Sequence, residues 1–256
     1  MKKMSAVLTI LFSTILSAQT IAVVSYMKVE PGNTQEYLEV EKIWKKIHQT
    51  RLEKGMIKFW GLYSAMYTGT ASEYNYVTVN HFNNMNELDN SWSDDLVQES
   101  FPGKSEAELN KMMARTSPSR DLIRSEPYNL VSYTETEPAE PTKILFINFM
   151  TIEQGTNNAY VTMENEIYKP MHEKSVKSGS RTGWSLWSKM DGDMTSGQYV
   201  TVDSYSSWDQ MDQQSPFADL FKKVHPKKRF NKVSEMTNQA RLLERRETWE
   251  LIDSVY

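Results

Sequence analysis

Two histidines stand at matching places in two similar stretches of this chain. Each follows a tyrosine and a glutamate and precedes a tryptophan. The matched pairs are Tyr37/Tyr160, Glu41/Glu164, His48/His172 and Trp60/Trp184, joined by Met27/Met150, Gly32/Gly155, Gly55/Gly179, Leu62/Leu186 and Ser64/Ser188. A carboxylate beside an imidazole can orient it for general acid–base chemistry. On an ideal helix Tyr37, Glu41, Trp44 and His48 fall on one stripe, because separations of four, seven and eleven return to one face. In the second stretch one extra residue precedes His172. Tyr160, Glu164, Tyr168 and His172 therefore realign only if the helix is disturbed, and a kink or bulge is expected beside Pro170. A packing role explains the same residues: a buried imidazole must be hydrogen-bonded and usually finds a local partner, Trp-x-Leu alternation fills a sheet face, and the glutamates could form surface ion pairs. One His and one Glu per stretch fall short of a metal site. A Gly-rich phosphate loop, a nucleophilic Cys and a Gly-x-Ser-x-Gly elbow are all missing, which removes support for nucleotide, thiol and serine-hydrolase chemistry.

The similarity continues in Tyr76-Val77-Thr78-Val79 and Tyr199-Val200-Thr201-Val202. A long period occurring twice implies two small units of one fold. Each reads strand, helix, strand, strand, helix, strand. In the second, Ile144 to Ile152 is an apolar strand, and Asn157 to Ser178 carries a helical pattern closed by Gly179. Strands from Arg181 to Met190 and from Gln198 to Tyr205 are joined by turn residues, including Asp191-Gly192 and Ser196-Gly197. A helix over 208–224, a further polar helix, and a last strand near 249–255 complete it. The first unit runs in parallel: a helix from Thr34 to Lys54, strands 57–68 and 74–82, a helix over 85–101 and a last strand near 128–134. The expected boundaries are a secretory signal peptide over 1–18, a first repeat over 19–136, a Glu/Pro/Thr-rich linker over 137–142 and a second repeat over 143–256.

Lys2-Lys3, the apolar run Ala6–Leu16 and the small Ser17-Ala18 make up the signal-peptide pattern, and the run is too short to span a bilayer. The mature protein is expected to be secreted or periplasmic, with no membrane association after cleavage. It has no cysteine, so burial alone must hold it, supplied by 7 Trp, 13 Tyr and 8 Phe beyond residue 18. Without Lys2 and Lys3 it carries 27 basic and 33 acidic residues, a mild acidity that argues against nucleic acid as a partner. One basic cluster, from Lys222 to Arg229 around His225, reads either as a solvated helix end or as a docking site for an anionic group.

The βαββαβ order gives α+β units of ferredoxin-like form, whose bare sheet faces are expected to pack sheet to sheet as a pseudo-twofold α/β barrel. The Glu-Pro-Gly and Glu-Gln-Gly turns, the Tyr…Glu…His helix and the Gly-x4-Trp-x-Leu-x-Ser entry to strand two resemble the dimeric α/β-barrel superfamily in tandem form. The nearest groups are the antibiotic-biosynthesis-monooxygenase-like and NIPSNAP-like ones. That resemblance implies small-molecule pockets between helix and sheet, lined by Tyr37, Glu41, His48 and Trp60, and by Tyr160, Glu164, His172 and Trp184. Asn148 and His225 resemble the strand-one Asn and helix-two iron-binding His of the superfamily's haem-degrading enzymes, and the basic cluster would then meet the propionates. Those enzymes also use a strand-three Trp, where this chain has Tyr205. Three functions stay open: small-molecule binding without an assigned cofactor, a cofactor-independent or haem-dependent monooxygenase-like enzyme, and a structural or interaction protein. None requires an oligomer.

Overall fold

The computed structural model describes residues 20–135, 140–195 and 197–256. The expected signal peptide, residues 136–139 of the linker region and Ser196 of the second hairpin turn lie outside the described residues.

The chain is a mixed α+β structure. Strand β1 (Ile21–Lys28) leads to helix α1 (Thr34–Glu53), then β2 (Phe59–Ala65) and β3 (Tyr76–Phe82). Four short helices follow, α2 (Met85–Asp89), α3 (Leu96–Ser100), α4 (Glu106–Met113) and α5 (Thr116–Ser119), before β4 (Asp121–Tyr133). The second half begins with β5 (Ile144–Thr151). Its long helix consists of α6 (Asn157–Met163), a π-helical turn (Glu164–Tyr168) and α7 (Lys169–Lys177). Then come β6 (Gly183–Lys189), β7 (Tyr199–Tyr205), α8 (Trp208–Asp212), α9 (Phe217–Val224), α10 (Phe230–Ala240) and β8 (Leu242–Val255).

The eight strands close into one antiparallel barrel in the order β1-β3-β2-β8-β5-β7-β6-β4. Closure runs through the sheet edges. β8 pairs with β2 and β4 pairs with β6, so the last strand of each half is hydrogen-bonded to the other half. Two stacked sheets would leave four unpaired edges, whereas a barrel leaves none. The barrel expected from the sequence is thus closed by strand pairing at its edges. The long last strands make it possible. β4 and β8 begin at Asp121 and Leu242, several residues before the apolar segments that marked them in the sequence.

The helices lie outside the barrel. α1 stops at Gly55, whose φ of +70° suits a left-handed cap, and Met56 N–H then reaches the Arg51 carbonyl at 2.8 Å. The continuous second helix expected over 85–101 is instead α2 and α3, and that over 208–224 is α8 and α9. Asn84 and Ser207 cap the first piece of each pair, and Pro216 restarts the chain before α9. The core has distinct layers: the barrel interior, around Tyr63, Ile147, Phe149 and Trp249, and helix–sheet layers around Tyr37 and Trp60 and around Tyr160 and Trp184.

Candidate functional site

In the first half, Tyr37, Glu41 and His48 are all buried on the sheet-facing side of α1. The imidazole of His48 lies over Trp60 of β2, with ring centroids 4.9 Å apart and planes 22° from parallel. Its Nδ1 is 2.9 Å from Nη1 of Arg51. A guanidinium only donates, so Nδ1 accepts and the neutral ring carries its proton on Nε2. Burial holds the imidazole well below its ordinary pKa, and the charges of Arg51 and Arg120 add to the effect. Arg51 also donates to Asn80 Oδ1 at 3.3 Å and to the Ser91 carbonyl at 2.9 Å. Glu41 is pushed up to about 7 by burial, which Arg120 at 3.7 Å partly offsets.

The second half rebuilds this arrangement with one extra residue. The π-turn at Glu164–Tyr168 absorbs it just ahead of Pro170, so Tyr160, Glu164 and His172 again face the sheet. His172 stacks on Trp184 with centroids 4.7 Å apart and planes at 10°. Its Nδ1 accepts from Arg181, and burial followed by the Arg181 charge depresses its pKa. Glu164 is raised to about 7 by burial against the attraction of Arg241, whose Nε is 3.4 Å from Oε1.

A polar chain then runs across the strands. Arg181 donates to Asp203, and Asn148 Nδ2 donates to Asp203 Oδ2 and Thr201 Oγ1, each at 3.1 Å. Asn148 Oδ1 accepts from Nε of Arg246 at 2.6 Å. At the corresponding register the first half pairs Ser25 with Ser125, 2.6 Å apart, and places Asn80 where the second has Asp203.

The two halves differ most in what covers these side chains. His48 is sandwiched, with Trp44 stacked 5.9 Å away on it, and Ile47, Leu96, Phe101 and Leu109 form a packed cluster alongside. In the second half Tyr168 occupies the place of Trp44 and bonds Thr237 at 2.5 Å. A cavity of about 370 Å³ opens there. Its walls include Asn148, Glu164, His172, Arg181, Trp184, Asp203, Arg241 and Arg246, closed on the helix side by Phe217, Phe221 and Phe230. Tyr160 packs in the apolar layer nearby, 4.8 Å from Tyr199.

His225 does not join that cavity. It sits at the end of α9, and its Nε2 is 2.9 Å from the Ile167 carbonyl, which belongs to the π-turn. The residues present do not fit axial haem ligation: His225 Nε2 is engaged with a backbone carbonyl, and His172 keeps its proton on Nε2 while Arg181 occupies Nδ1. Among the described residues no group of three or more His, Cys, Asp or Glu could hold a metal ion.

Sequence reading missed the arginines. Arg120 and Arg241, the partners of the buried glutamates, each open the same spacing: Arg120-x3-Arg124-x-Glu126 and Arg241-x3-Arg245-x-Glu247. That repeated pattern was the available signal. The second basic member of each stacks on an aromatic ring, Arg124 4.2 Å over Tyr26 and Arg245 3.8 Å over Phe149.

No protein-family model matches the chain, and no curated protein aligns with it at a significant level. Solved structures do share its fold. A candidate monooxygenase from Fusobacterium nucleatum superimposes with a TM-score of 0.56 at 11% identity, covering 94% of this chain and 95% of that one. A candidate monooxygenase from Lactobacillus acidophilus gives 0.52 at 11%, covering 91% and 93%. An anthrone oxidase-like protein gives 0.51 at 7%, covering 93% of each chain. At these identities the likeness is one of fold.

Proposed function

We propose that the chain is a tandem member of the dimeric α/β-barrel superfamily, built from two ferredoxin-like repeats, exported, and binding a small molecule in the helix–sheet cavity of its second half. The ligand is a compact aromatic or apolar molecule carrying an anionic group. The observation that carries this reading is the polar chain His172–Arg181–Asp203–Asn148–Arg246, which accompanies the cavity. Among the described residues Arg246 has no carboxylate within ion-pair distance. The Nε atom of Arg181 is buried without a hydrogen-bond acceptor, and that of Arg241 faces only the Glu164 carboxylate, at 3.4 Å. A cavity with three phenylalanines and unfilled guanidinium donors suits a carboxylate on an apolar body.

The test is a titration with 2-naphthoate, followed by tryptophan fluorescence. Binding should weaken at least tenfold in Arg246→Met and stay unchanged in His48→Phe, whose ring is stacked between Trp44 and Trp60 in the other half. Equal affinity across all three proteins would overturn the assignment. Mass measurement of the exported chain should find cleavage after Ala18; a chain kept inside the cell with an intact amino terminus would reject the export reading.

A second reading makes the same site catalytic. Glu164 lines the cavity and is poised near neutrality, as a general base requires. It would take a proton from a bound phenolic ligand, in keeping with the oxidative roles assigned to the Fusobacterium and Lactobacillus proteins. Oxygen uptake on hydroxynaphthoates, lost in Glu164→Gln, is the expected result. Binding with no uptake at any pH between 5 and 9 would leave a binding protein.

A further inference from the structure

The barrel interior is not evenly filled. Inward-facing residues meet in register around the strands. In the first half Ala22, His81 and Phe59 share the upper level, then Val24, Val79 and Gly61, then Tyr26, Val77 and Tyr63. The second half answers with Leu145, Ser204 and Gly183, then Ile147, Val202 and Ser185, then Phe149, Val200 and Trp187. Where the first half places Phe59 and His81, the second places Gly183 and Ser204. That loss of bulk leaves a cavity of about 240 Å³ at the upper level, beneath Pro141 and Thr142. The opposite end is occupied by charge: Lys189 reaches Glu126 at 3.1 Å, and Arg124 lies over Tyr26.

The cavity wall carries no charged side chain. Its rings include Phe59, Trp187 and Trp249, and its polar groups include His81, Ser185 and Ser204. Ser185 Oγ already accepts from Trp187 Nε1 at 2.8 Å. His81 is different. Its ring lies 5.0 Å from Phe59 and 5.6 Å from Trp187, and neither of its nitrogens has a hydrogen-bond partner among the described residues. Burial drives its pKa down to about 4, so the imidazole is neutral at ordinary pH and cannot balance a ligand's charge. This half-buried imidazole, without a partner in the described chain, keeps its donor and acceptor free for a molecule in the cavity.

We propose that the barrel lumen is a second binding site, for a small uncharged aromatic molecule whose single hydroxyl or N–H group hydrogen-bonds to His81. A dry apolar cavity of about 150 Å³ already accepts benzene, so the larger lumen suits a molecule of one or two fused rings. The site selects against charge, which separates it from the helix–sheet cavity and its guanidinium groups.

The experiment compares 2-naphthol with 2-naphthoate by calorimetry on the purified chain. Wild type should bind 2-naphthol, and His81→Leu should weaken that binding about fivefold to tenfold, the worth of one hydrogen bond. Ser204→Phe, which restores bulk to the upper level, should abolish it. Arg246→Met should leave 2-naphthol unaffected while weakening 2-naphthoate, so failure of either site is visible without the other. Independently of variant stability, the ring nitrogens of His81 in ¹⁵N-labelled wild type should shift when 2-naphthol is added and stay still with 2-naphthoate. No 2-naphthol binding by wild type, unmoved His81 resonances, or full binding in a folded Ser204→Phe would overturn the proposal.

Discussion

His172 and Trp184 stack nearly parallel, 4.7 Å apart at 10°, while the edge of the same imidazole accepts from Arg181. The ring is thus held on its face and on one edge. His172→Phe keeps the face contact and removes the acceptor, leaving a half-buried guanidinium short of one bond. The expected cost is about 1–3 kcal/mol. Arg181→Met should cost less in that background than in wild type, a coupling of about 0.5 kcal/mol or more for residues in one hydrogen-bond network. Urea denaturation of the four proteins measures it, and strictly additive losses would dismiss the bond as a contributor.

The buried glutamates make stability depend on pH with an unusual sign. Glu41 and Glu164 are raised from an ordinary 4.5 to about 7 in the folded chain. Between those values the folded state holds protons that the unfolded state has released, so their contribution falls as pH rises through that window and levels off above about 7. His48 and His172 oppose this. Their depressed pKa values make the folded state lose stability as pH falls below 6.5, the ordinary imidazole value. The clean quantity is therefore the stability of Glu164→Gln minus that of wild type. It should increase from pH 4.5 to 7 and then flatten. Parallel curves across that range would contradict the burial shift.

How much of this was legible in the sequence depended on the range of the interaction. Tyr37, Glu41 and His48 sit within four turns of one helix, so spacing alone placed them on a face; the extra residue before His172, next to Pro170, located the π-turn. A barrel was expected, but the strand pairings that close it were not legible. They join Tyr63 to Leu251 and Tyr128 to Lys189, partners far apart in the chain that no local pattern specifies. The lumen was hidden for the same reason, since Phe59, His81, Ser204 and Gly183 belong to four separate strands. Asn148 was singled out by the family resemblance, but its partners, Asp203 and Arg246, are brought to it only by β5 lying between β7 and β8.

The π-turn explains His225. A π-helical turn widens the backbone and leaves a carbonyl without its usual helical partner. Ile167 O faces His225 Nε2 at 2.9 Å, so this histidine fastens α9 to the long helix. His225→Ala should cost about 1 kcal/mol by leaving that acceptor unpaired. Haemin added to wild type and variant should give the same absorption spectrum. A Soret shift present in wild type and lost in the variant would show an iron ligand instead.

Across the β4–β6 seam, Lys189 and Glu126 form an ion pair at 3.1 Å with side-chain exposures of 4% and 5%. Glu126 also accepts from Tyr128 at 2.8 Å and lies 3.6 Å from Arg124. Breaking a buried pair on one side is costly because the remaining charge stays out of water. Lys189→Met should therefore destabilise by about 2–4 kcal/mol, somewhat moderated by Arg124. The double variant Lys189→Met/Glu126→Gln removes both charges and should recover more than half of that loss, since the glutamine side chain can still accept from Tyr128. The seam is also one of the two strand pairings that join the halves. Loss of the pair should thus show first as faster amide exchange along Tyr128–Tyr133 and Ser185–Lys189, ahead of the rest of the barrel. A single variant costing under 1 kcal/mol, or exchange that rises uniformly, would mean that this pair does not hold the seam closed.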